Sequence, residues 1–309
     1  MDAPTYHHAG YVVLGDAVLP VAGYCWGFNT DIAHRLCKDK GLTADTLRAW
    51  NIPAPVGVTV SGPAFLAAHA ASPPLFRSSL MDTDTAVSRM LGLGGPWFVK
   101  PNAGAQGDKV TKVGNETDMR AALEAIWSTY PQARVECAAP GVDHRVLVLD
   151  GRVRVIYARL PPFVAGDGRT TLQVLVQAAV AKGAVKTGKL VWEYLHSCGL
   201  CASTVPGEGA VVPLLPAANI STGGMAKRLD VHDWPPAIVD AASRAVRAVG
   251  ARWAGVDVLW DGERAMVVEV NTSPDTSGGA ECPQTAALLE PLIEELVRGS
   301  LNRAVAFRW

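Results

Sequence analysis

The sequence has little charge of either sign, and this scarcity narrows the functions that it can have. Its 309 residues carry 28 Lys and Arg against 29 Asp and Glu, a formal net charge of −1, with no basic run. Proteins that bind nucleic acid neutralise phosphates with clustered Lys and Arg, so this balance argues against a nucleic-acid partner. Apolar residues make up 49 % and charged residues 18 % of the chain, which argues against disorder and allows a large core.

Long apolar runs and a leader pattern are also lacking. No stretch reaches the roughly 20 apolar residues that cross a bilayer as a helix. The first residues, MDAPTYHHAG, have neither the basic segment nor the apolar segment of a secretory signal. We therefore expect a soluble, cytoplasmic protein without a membrane partner.

Cysteine is scarce, and only Cys198 and Cys201 of the six cysteines form a CxxC pair. With His196 nearby in sequence, a metal or redox site is conceivable. No second ligand pair accompanies them, and a lone pair of this kind is a weak motif. The chain also has no Walker loop and no Ser-His-Asp or Cys-His pattern, so nothing indicates catalysis by a protein nucleophile.

The chain does contain hairpins and helices in mixed order. RVLVL-DG-RVRVIYAR predicts two antiparallel strands joined by a type I′ turn at Asp150-Gly151. Amphipathic helices are predicted after Asn115 or Thr117, in TTLQVLVQAAVAKG, in PPAIVDAASRAVRAVG and over residues 285–298. Antiparallel hairpins with covering helices indicate an α+β protein and not a regular βαβ array.

A lysine and a glycine-bearing loop suggest a phosphate contact. PWFVKP predicts a short strand that ends near Lys100, and the loop NAGAQGDKV follows it. A lysine in this position can meet phosphate oxygens as a compact point charge. Gly104 and Gly107 allow backbone amides to approach an anion closely. The alternative is an ordinary surface loop with a lysine whose stem lies along the surface.

Polar groups also mark the ends of the first predicted hairpin. Asp143 and Arg145 begin one strand, and Arg159 ends its partner. The acid could accept ribose hydroxyls, and either arginine could hold a phosphate by bidentate contacts, although such strand-end arginines can simply be solvated. Further along, NISTGG from Asn219 to Gly224 has donors that suit an acyl phosphate or a carboxylate, or it is a plain turn.

The stretch VDVLWDGERAMVVEVNTSP carries the most informative acids. It places Asp257 on one predicted strand and Glu269 and Asn271 on the next. Residues two apart on a strand point to the same face, so Glu269 and Asn271 share a face. Two carboxylates and a carboxamide are hard oxygen ligands of the kind that Mg²⁺ prefers. The alternative is a surface hairpin with incidental acids.

Asp257 and Glu269 can bind the same metal ion only if the strand register of this hairpin turns both side chains to one face. A two-residue turn at Asp261-Gly262 would pair Asp257 with Met266 and point Asp257 away from Glu269. The two acids can share a face only if the loop has an odd length or one strand is bulged. We therefore expect that this Asp-Gly pair is not a simple two-residue turn, unlike Asp150-Gly151.

Five segments in a fixed order carry a family resemblance. PWFVKP, VECAAPGVDHRVLV, LPPFVAGDGRTTLQVLV, NISTGG and AGVDVL…VVEVN resemble the ATP-grasp module of cyanophycin synthetases and bifunctional glutathione synthetases. Upstream, DIAHRLCKDKGLT and NIPAPVG resemble the segment that leads into that module. The resemblance covers residues 28–275 and implies an ATP-grasp fold, in which two α+β subdomains enclose ATP. It predicts a short N-terminal region over 1–95, a lid subdomain over 96–140 and a core with the metal and substrate site over 141–309.

The resemblance implies an ADP-forming ATP-grasp carbon–nitrogen ligase that uses ATP and Mg²⁺, with Mn²⁺ as an alternative metal. It assigns nucleotide binding to seven residues: Lys100, Gly104, Gly107, Glu136, Cys137, Ala138 and Asp143. Within this set, residues 135–138 would form the hinge that contacts adenine, and Asp143 would bind the ribose. It assigns catalysis at the phosphate and acyl-phosphate end to Arg145, Arg159 and Asn219. It assigns the metal to Asp257, Glu269 and Asn271.

The expected reaction activates a small carboxylate as an acyl phosphate and joins it to an amine from an amino acid or small peptide. Two alternatives are ATP-driven cyclisation of one small metabolite and a nucleotide-binding regulator without catalysis. The chain departs from its relatives after Asn271, where Asp275 stands in place of a common glycine, so the substrates are open. The expected partners are small amino-acid-like molecules, and a homodimer is left open.

Overall fold

A computed structural model describes residues 28–104, 107–185, 188–215, 224–274 and 294–295, together with the backbone of 9–14 and 17–22. Asn219 and most of the helix predicted over 285–298 lie outside the described residues. The strands are β1 (Ala9–Leu14), β2 (Ala17–Ala22), β3 (Gly57–Ser61), β4 (Trp97–Pro101), β5 (Thr111–Val113), β6 (Gln132–Cys137), β7 (Val142–Leu149), β8 (Arg152–Leu160), β9 (Phe163–Ala165), β10 (Val211–Pro213), β11 (Met225–Arg228), β12 (Trp253–Trp260) and β13 (Ala265–Asn271).

The described helices alternate with these strands and confirm the α+β class. They are α1 (Asp31–Lys38), α2 (Lys40–Ala49), α3 (Pro63–Ala68), α4 (Pro74–Ser78), α5 (Thr83–Leu91), α6 (Glu116–Trp127), α7 (Leu172–Ala181), α8 (Gly188–Ser197) and α9 (Pro236–Ala248). Asn115 caps α6 by accepting a hydrogen bond from the Asp118 amide, as its sequence position predicts. Among the described residues, no helix combines the length and the apolar character needed to cross a membrane.

A four-stranded antiparallel sheet in the order β3-β6-β4-β5 holds Lys100 and Glu136. One face is apolar and packs on α5 and α6 through residues such as Val60, Val99 and Val135. Strand alternation turns the polar residues of β4 and β6 to the other face. The domain division at residue 95 stays a prediction, but this sheet also takes in β3 from before that boundary.

A five-stranded sheet in the order β11-β8-β7-β12-β13 forms the second layer, and α9 packs on one of its faces. The β7–β8 hairpin closes through the two-residue turn that the sequence predicts, since Leu149 pairs with Arg152. Asp150 and Gly151 have φ of 47° and 73°, as a type I′ turn requires. The remaining small unit pairs β9 with β10 under α7 and α8.

Candidate functional site

The carboxylates of the β12–β13 hairpin face each other because the hairpin is bulged. Trp260 pairs with Ala265 across the turn, but the register shifts after Asp257, which lies directly opposite Glu269. Four residues, 261–264, lie between Trp260 and Ala265, which confirms that the Asp-Gly pair is not a simple two-residue turn, and the bulge is what brings the two acids to one face. Asn271 lies two residues beyond Glu269 and opposite Gly255, so it shares their face. The structure thus brings the three predicted metal ligands to one face of the five-stranded sheet.

Two arginines hold Asp257 from the neighbouring strands. Arg145 lies directly opposite Asp257 across β7, and its Nη1 is 3.0 Å from Asp257 Oδ1. Arg159 Nη2 is 3.0 Å from Asp257 Oδ2 and donates a hydrogen bond of 2.8 Å to Asp143 Oδ1. The Arg145 contact is an ion pair without hydrogen-bond geometry, since Asp257 Oδ1 accepts no hydrogen bond from the described residues. Predicted site residues from three strands, β7, β8 and β12, therefore form one buried network of charges.

The two arginines offset the charges of Asp257 and Asp143 in this network. Burial, and then repulsion from Asp257, raise the pKa of Asp143, while Arg159 and Arg145 oppose the rise. Burial opposes ionisation of Arg159, but the charges of Asp257 and Asp143 raise its pKa overall, so Arg159 stays protonated. Glu269 adds another carboxylate at the same face. A metal cation placed between Asp257 and Glu269 would add to the compensation that the neighbouring cations already give these carboxylates.

The predicted nucleotide residues on the other sheet are buried and paired. Lys100 and Glu136, each 6 % exposed, form an ion pair on the polar face of β4 and β6. The Cys137 amide donates to the Val56 carbonyl at 2.8 Å, and the Ala138 amide donates to the Pro96 carbonyl at 2.9 Å. Hydrogen bonds within the protein therefore fix the backbone of the predicted hinge. The contact of these residues with adenine stays a prediction.

Lys40 connects the two sheets, and sequence reasoning missed it. Its Nζ donates to the Gly104 carbonyl at 2.7 Å and lies 3.4 Å from Glu269 Oε1. The backbone amides of Lys40 and Gly41 are tied to Asn102, to its carbonyl and its side chain respectively, in the loop after β4. The Asp-Lys pair before α2 was the available signal, but only the tertiary structure shows that this lysine reaches Glu269.

Asn29 is a second missed residue, and it anchors the segment after Asn271. Its Nδ2 donates to the carbonyls of Trp253 and Thr272 at 2.7 and 2.8 Å. Its Oδ1 accepts from the amides of Arg252 and Trp253 at 2.8 and 3.1 Å. Thr272 also hydrogen-bonds His34 through its hydroxyl. Nothing local in the sequence distinguishes this asparagine, because its partners lie more than two hundred residues away.

The CxxC pair lies apart, after α8 and beside α7, and both cysteines are exposed. The Ser203 and Thr204 hydroxyls, in that order of effect, lower the pKa of Cys201 to about 7. Among the described residues, no group of three or more His, Cys, Asp or Glu side chains is placed to hold a metal ion. Among the described residues, the CxxC pair therefore has no third metal ligand beside it. At the other site, Asp257 and Glu269 need the Asn271 carboxamide as the third metal ligand.

Comparison with known proteins shows which sequences and structures the chain is similar to. No protein-family model matches the chain. The chain is 28 % identical over 262 residues to the cyanophycin synthetase of Trichormus variabilis, an alignment of 77 % of this chain and 26 % of that protein. It is 31 % identical over 157 residues to the glutathione biosynthesis bifunctional protein of Enterococcus faecalis, covering 46 % of this chain and 20 % of that protein. The chain thus spans about a quarter of the length of the curated relatives it matches.

Solved structures agree on the fold. A bifunctional glutathione synthetase from Pasteurella multocida matches with a TM-score of 0.52 at 19 % identity, over 91 % of this chain and 41 % of that one. A D-alanine–D-alanine ligase from Bacillus anthracis matches with a TM-score of 0.55 at 16 % identity, over 89 % of this chain and 72 % of that one. The chain therefore has the α+β fold of these ligase structures, and its sequence is similar to parts of cyanophycin synthetases and of the bifunctional glutathione biosynthesis protein.

Proposed function

We propose that this chain uses Mg–ATP to activate a small carboxylate as an acyl phosphate and joins it to the amine of an amino acid or small peptide. ADP and phosphate would leave in equal amounts. The relatives whose names describe ligation of amino-acid-like molecules support the reaction class. The residues proposed to carry it are those assembled on the facing sheets.

One observation carries this proposal: Lys40 touches both the glycine-bearing loop and a predicted metal ligand. Its ammonium contacts the Gly104 carbonyl at 2.7 Å and Glu269 at 3.4 Å. A single side chain therefore spans the distance between the loop proposed to cover the phosphates and the face proposed to hold the metal. Phosphoryl transfer depends on positioning and charge neutralisation at such a place, without a protein nucleophile.

The residues present fit Mg²⁺. Asp257 and Glu269 are directly opposed acids, and the ion pairs of Asp257 with Arg145 and of Glu269 with Lys40 keep both carboxylates at one face. Asp257 Oδ1 is buried and accepts no hydrogen bond from the described residues, although Arg145 Nη1 lies 3.0 Å away, so it can still accept a further contact. Together with the Asn271 carboxamide these groups offer only oxygen, which Mg²⁺ prefers. When bound, the metal would neutralise the phosphate oxygens during transfer.

The proposed reaction has two displacements. The substrate carboxylate attacks the γ-phosphorus, forming the acyl phosphate and breaking the bond to the ADP oxygen. The amine then attacks the acyl carbon, loses a proton and expels phosphate, leaving an amide. Arg145 and Arg159, already at the Asp257 end of the face, would hold the charged acyl phosphate by bidentate contacts. Lys100 would hold the departing ADP phosphates from the opposite sheet.

A coupled ADP assay tests the proposal. Purified protein with Mg–ATP is given carboxylates and amines from an amino-acid and dipeptide panel, singly and in pairs. ADP release that needs both a carboxylate and an amine, with the amide seen by mass spectrometry, is the expected result. ADP release with one substrate and a product lighter by one water would instead indicate cyclisation. Nucleotide binding without turnover across the panel would indicate a regulator, and turnover only with a polymer would refute the small-substrate assignment.

A further inference from the structure

Arg134 is a buried cation for which the reaction described above has no use. It lies at the middle of β6, on the polar face of the four-stranded sheet, and is 1 % exposed. Its ladder partners are Thr59 on β3 and Lys100 on β4. Directly opposed residues share a face, so two cations lie side by side in a largely dehydrated place.

The protein does not satisfy this guanidinium. Arg134 Nε is 3.8 Å from Glu136 Oε2, which is beyond hydrogen-bond length. Its Nε and Nη2 are buried and have no hydrogen-bond partner among the described residues. Glu136 already pairs with Lys100 through its other oxygen, so one carboxylate serves two buried cations. Burial accordingly lowers the pKa of Arg134, and the charge of Glu136 opposes this only in part.

The other charges that face Arg134 come from the α2 region and are engaged elsewhere. Asp39 caps α2 by accepting from the Leu42 amide at 2.8 Å. Asp45 forms an ion pair with Arg48, and Arg48 itself disfavours the charge on Arg134. Desolvated donors without acceptors are costly, and an uncompensated buried cation is more so. An anionic ligand would supply the missing acceptors.

We propose that Arg134 and Lys100 together form a two-cation site for a phosphate group of the bound nucleotide. This inference rests on the proposed function. The planar fork of arginine matches phosphate oxygens bidentately, and Lys100 adds a point charge beside it. The strand that holds Lys100 leads into the glycine-bearing loop, so phosphates held under that loop would lie at the end of the strand on which Lys100 faces Arg134. An adenine ring nitrogen offers a single neutral acceptor, whereas the paired oxygens of a phosphate can accept from both Nε and Nη2 of Arg134 and also carry the opposite charge.

Competition binding with a fluorescent nucleotide tests the site. ATP, ADP and adenosine are titrated against the wild type, Arg134→Met, Arg134→Lys and the exposed Arg89→Met of α5 as a matched control. Arg134→Met should weaken ATP and ADP about ten- to a hundredfold, the effect of one or two charge-assisted hydrogen bonds, and adenosine less than about twofold. Arg134→Lys should lie between, and Arg89→Met should match the wild type.

Thermal unfolding without ligand separates this role from a structural one. Removing an unpaired buried cation should leave the unfolding temperature of Arg134→Met unchanged or raise it. Wild-type ATP affinity in Arg134→Met, or equal losses for ATP and adenosine together with a lower unfolding temperature, would overturn the inference. If that variant does not fold, unchanged ATP affinity in Arg134→Lys overturns it. Absence of ATP binding by the wild type would overturn the proposed function as well.

Discussion

Glu269→Gln removes one charge from the proposed metal face while keeping the shape of the side chain, so it separates metal binding from folding. The folded protein loses one ion pair, between Lys40 and Glu269 at 3.4 Å, in which the Glu269 side chain is 27 % exposed. Exposed ion pairs contribute about 0 to 1 kcal/mol, and this pair is partly buried because the Lys40 side chain is 11 % exposed, so its loss lies at the upper end of that range. The substitution also removes repulsion with the opposed Asp257, which offsets that loss.

We therefore expect Glu269→Gln to change the unfolding temperature of the free protein by no more than a few degrees. Turnover should fall about a hundredfold or more, as for groups that place a catalytic metal. Saturating Mg–ATP at about a hundred times its Kd stabilises a protein that binds it by roughly 2.7 kcal/mol, so the wild type should gain several degrees that the variant lacks.

The assays are scanning calorimetry with and without Mg–ATP and the coupled ADP assay. Glu263→Gln is the matched control, because Glu263 is exposed in the turn of the same hairpin. It should behave as the wild type in both measurements. Near-wild-type turnover in Glu269→Gln, or a full Mg–ATP stabilisation of that variant, would refute the metal assignment.

Three further outcomes are expected. Asn29→Leu should lower the free energy of unfolding by about 2 to 4 kcal/mol in urea titrations, because four backbone groups lose their partners; a loss below the error of the titration would count against this anchor. The alkylation rate of Cys201 should rise with pH through about 7, and Ser203→Ala should move the midpoint upward because a hydroxyl that stabilises the thiolate is lost; an identical midpoint in that variant would contradict this account. Amides of residues 107–112 should exchange rapidly in the free protein and slowly with an ATP analogue and Mg²⁺, and equal exchange in both states would argue against a lid role for this loop.

Local signals predicted the local structure well. Asp-Gly at 150–151 specifies its turn because both residues adopt positive φ there, a property of those two positions alone. The bulge near Asp257 also changes the spacing of the buried residues along β13. Ala265 and Val267 are two residues apart, but Val267 and Val270 are three apart. The requirement that Asp257 and Glu269 share a face predicted either an odd-length loop or a bulge, and the structure has the bulge.

Long-range contacts were beyond sequence reasoning. The Asp39-Lys40 pair marks a helix start but not a contact with Glu269, and Arg134 has no local signal, because a lysine at a helix start and an arginine in a strand are ordinarily solvated. Asp143 was assigned to a ribose from the resemblance, while the structure engages it with Arg159 beside Asp257. Its ribose role remains a prediction, as does the role of Asn219, which lies outside the described residues.

The sequence by itself determined the strand and helix types, the order of the motifs and which groups can bind metal and phosphate, because these depend on periodicity, turn chemistry and functional groups. Only the tertiary structure decided that Arg145 and Arg159 pair with Asp257, that Lys40 joins the two sheets and that two buried donors of Arg134 have no hydrogen-bond partner among the described residues. Those facts depend on strand register and sheet packing, which bring together residues far apart in the chain and set the dielectric in which their charges act.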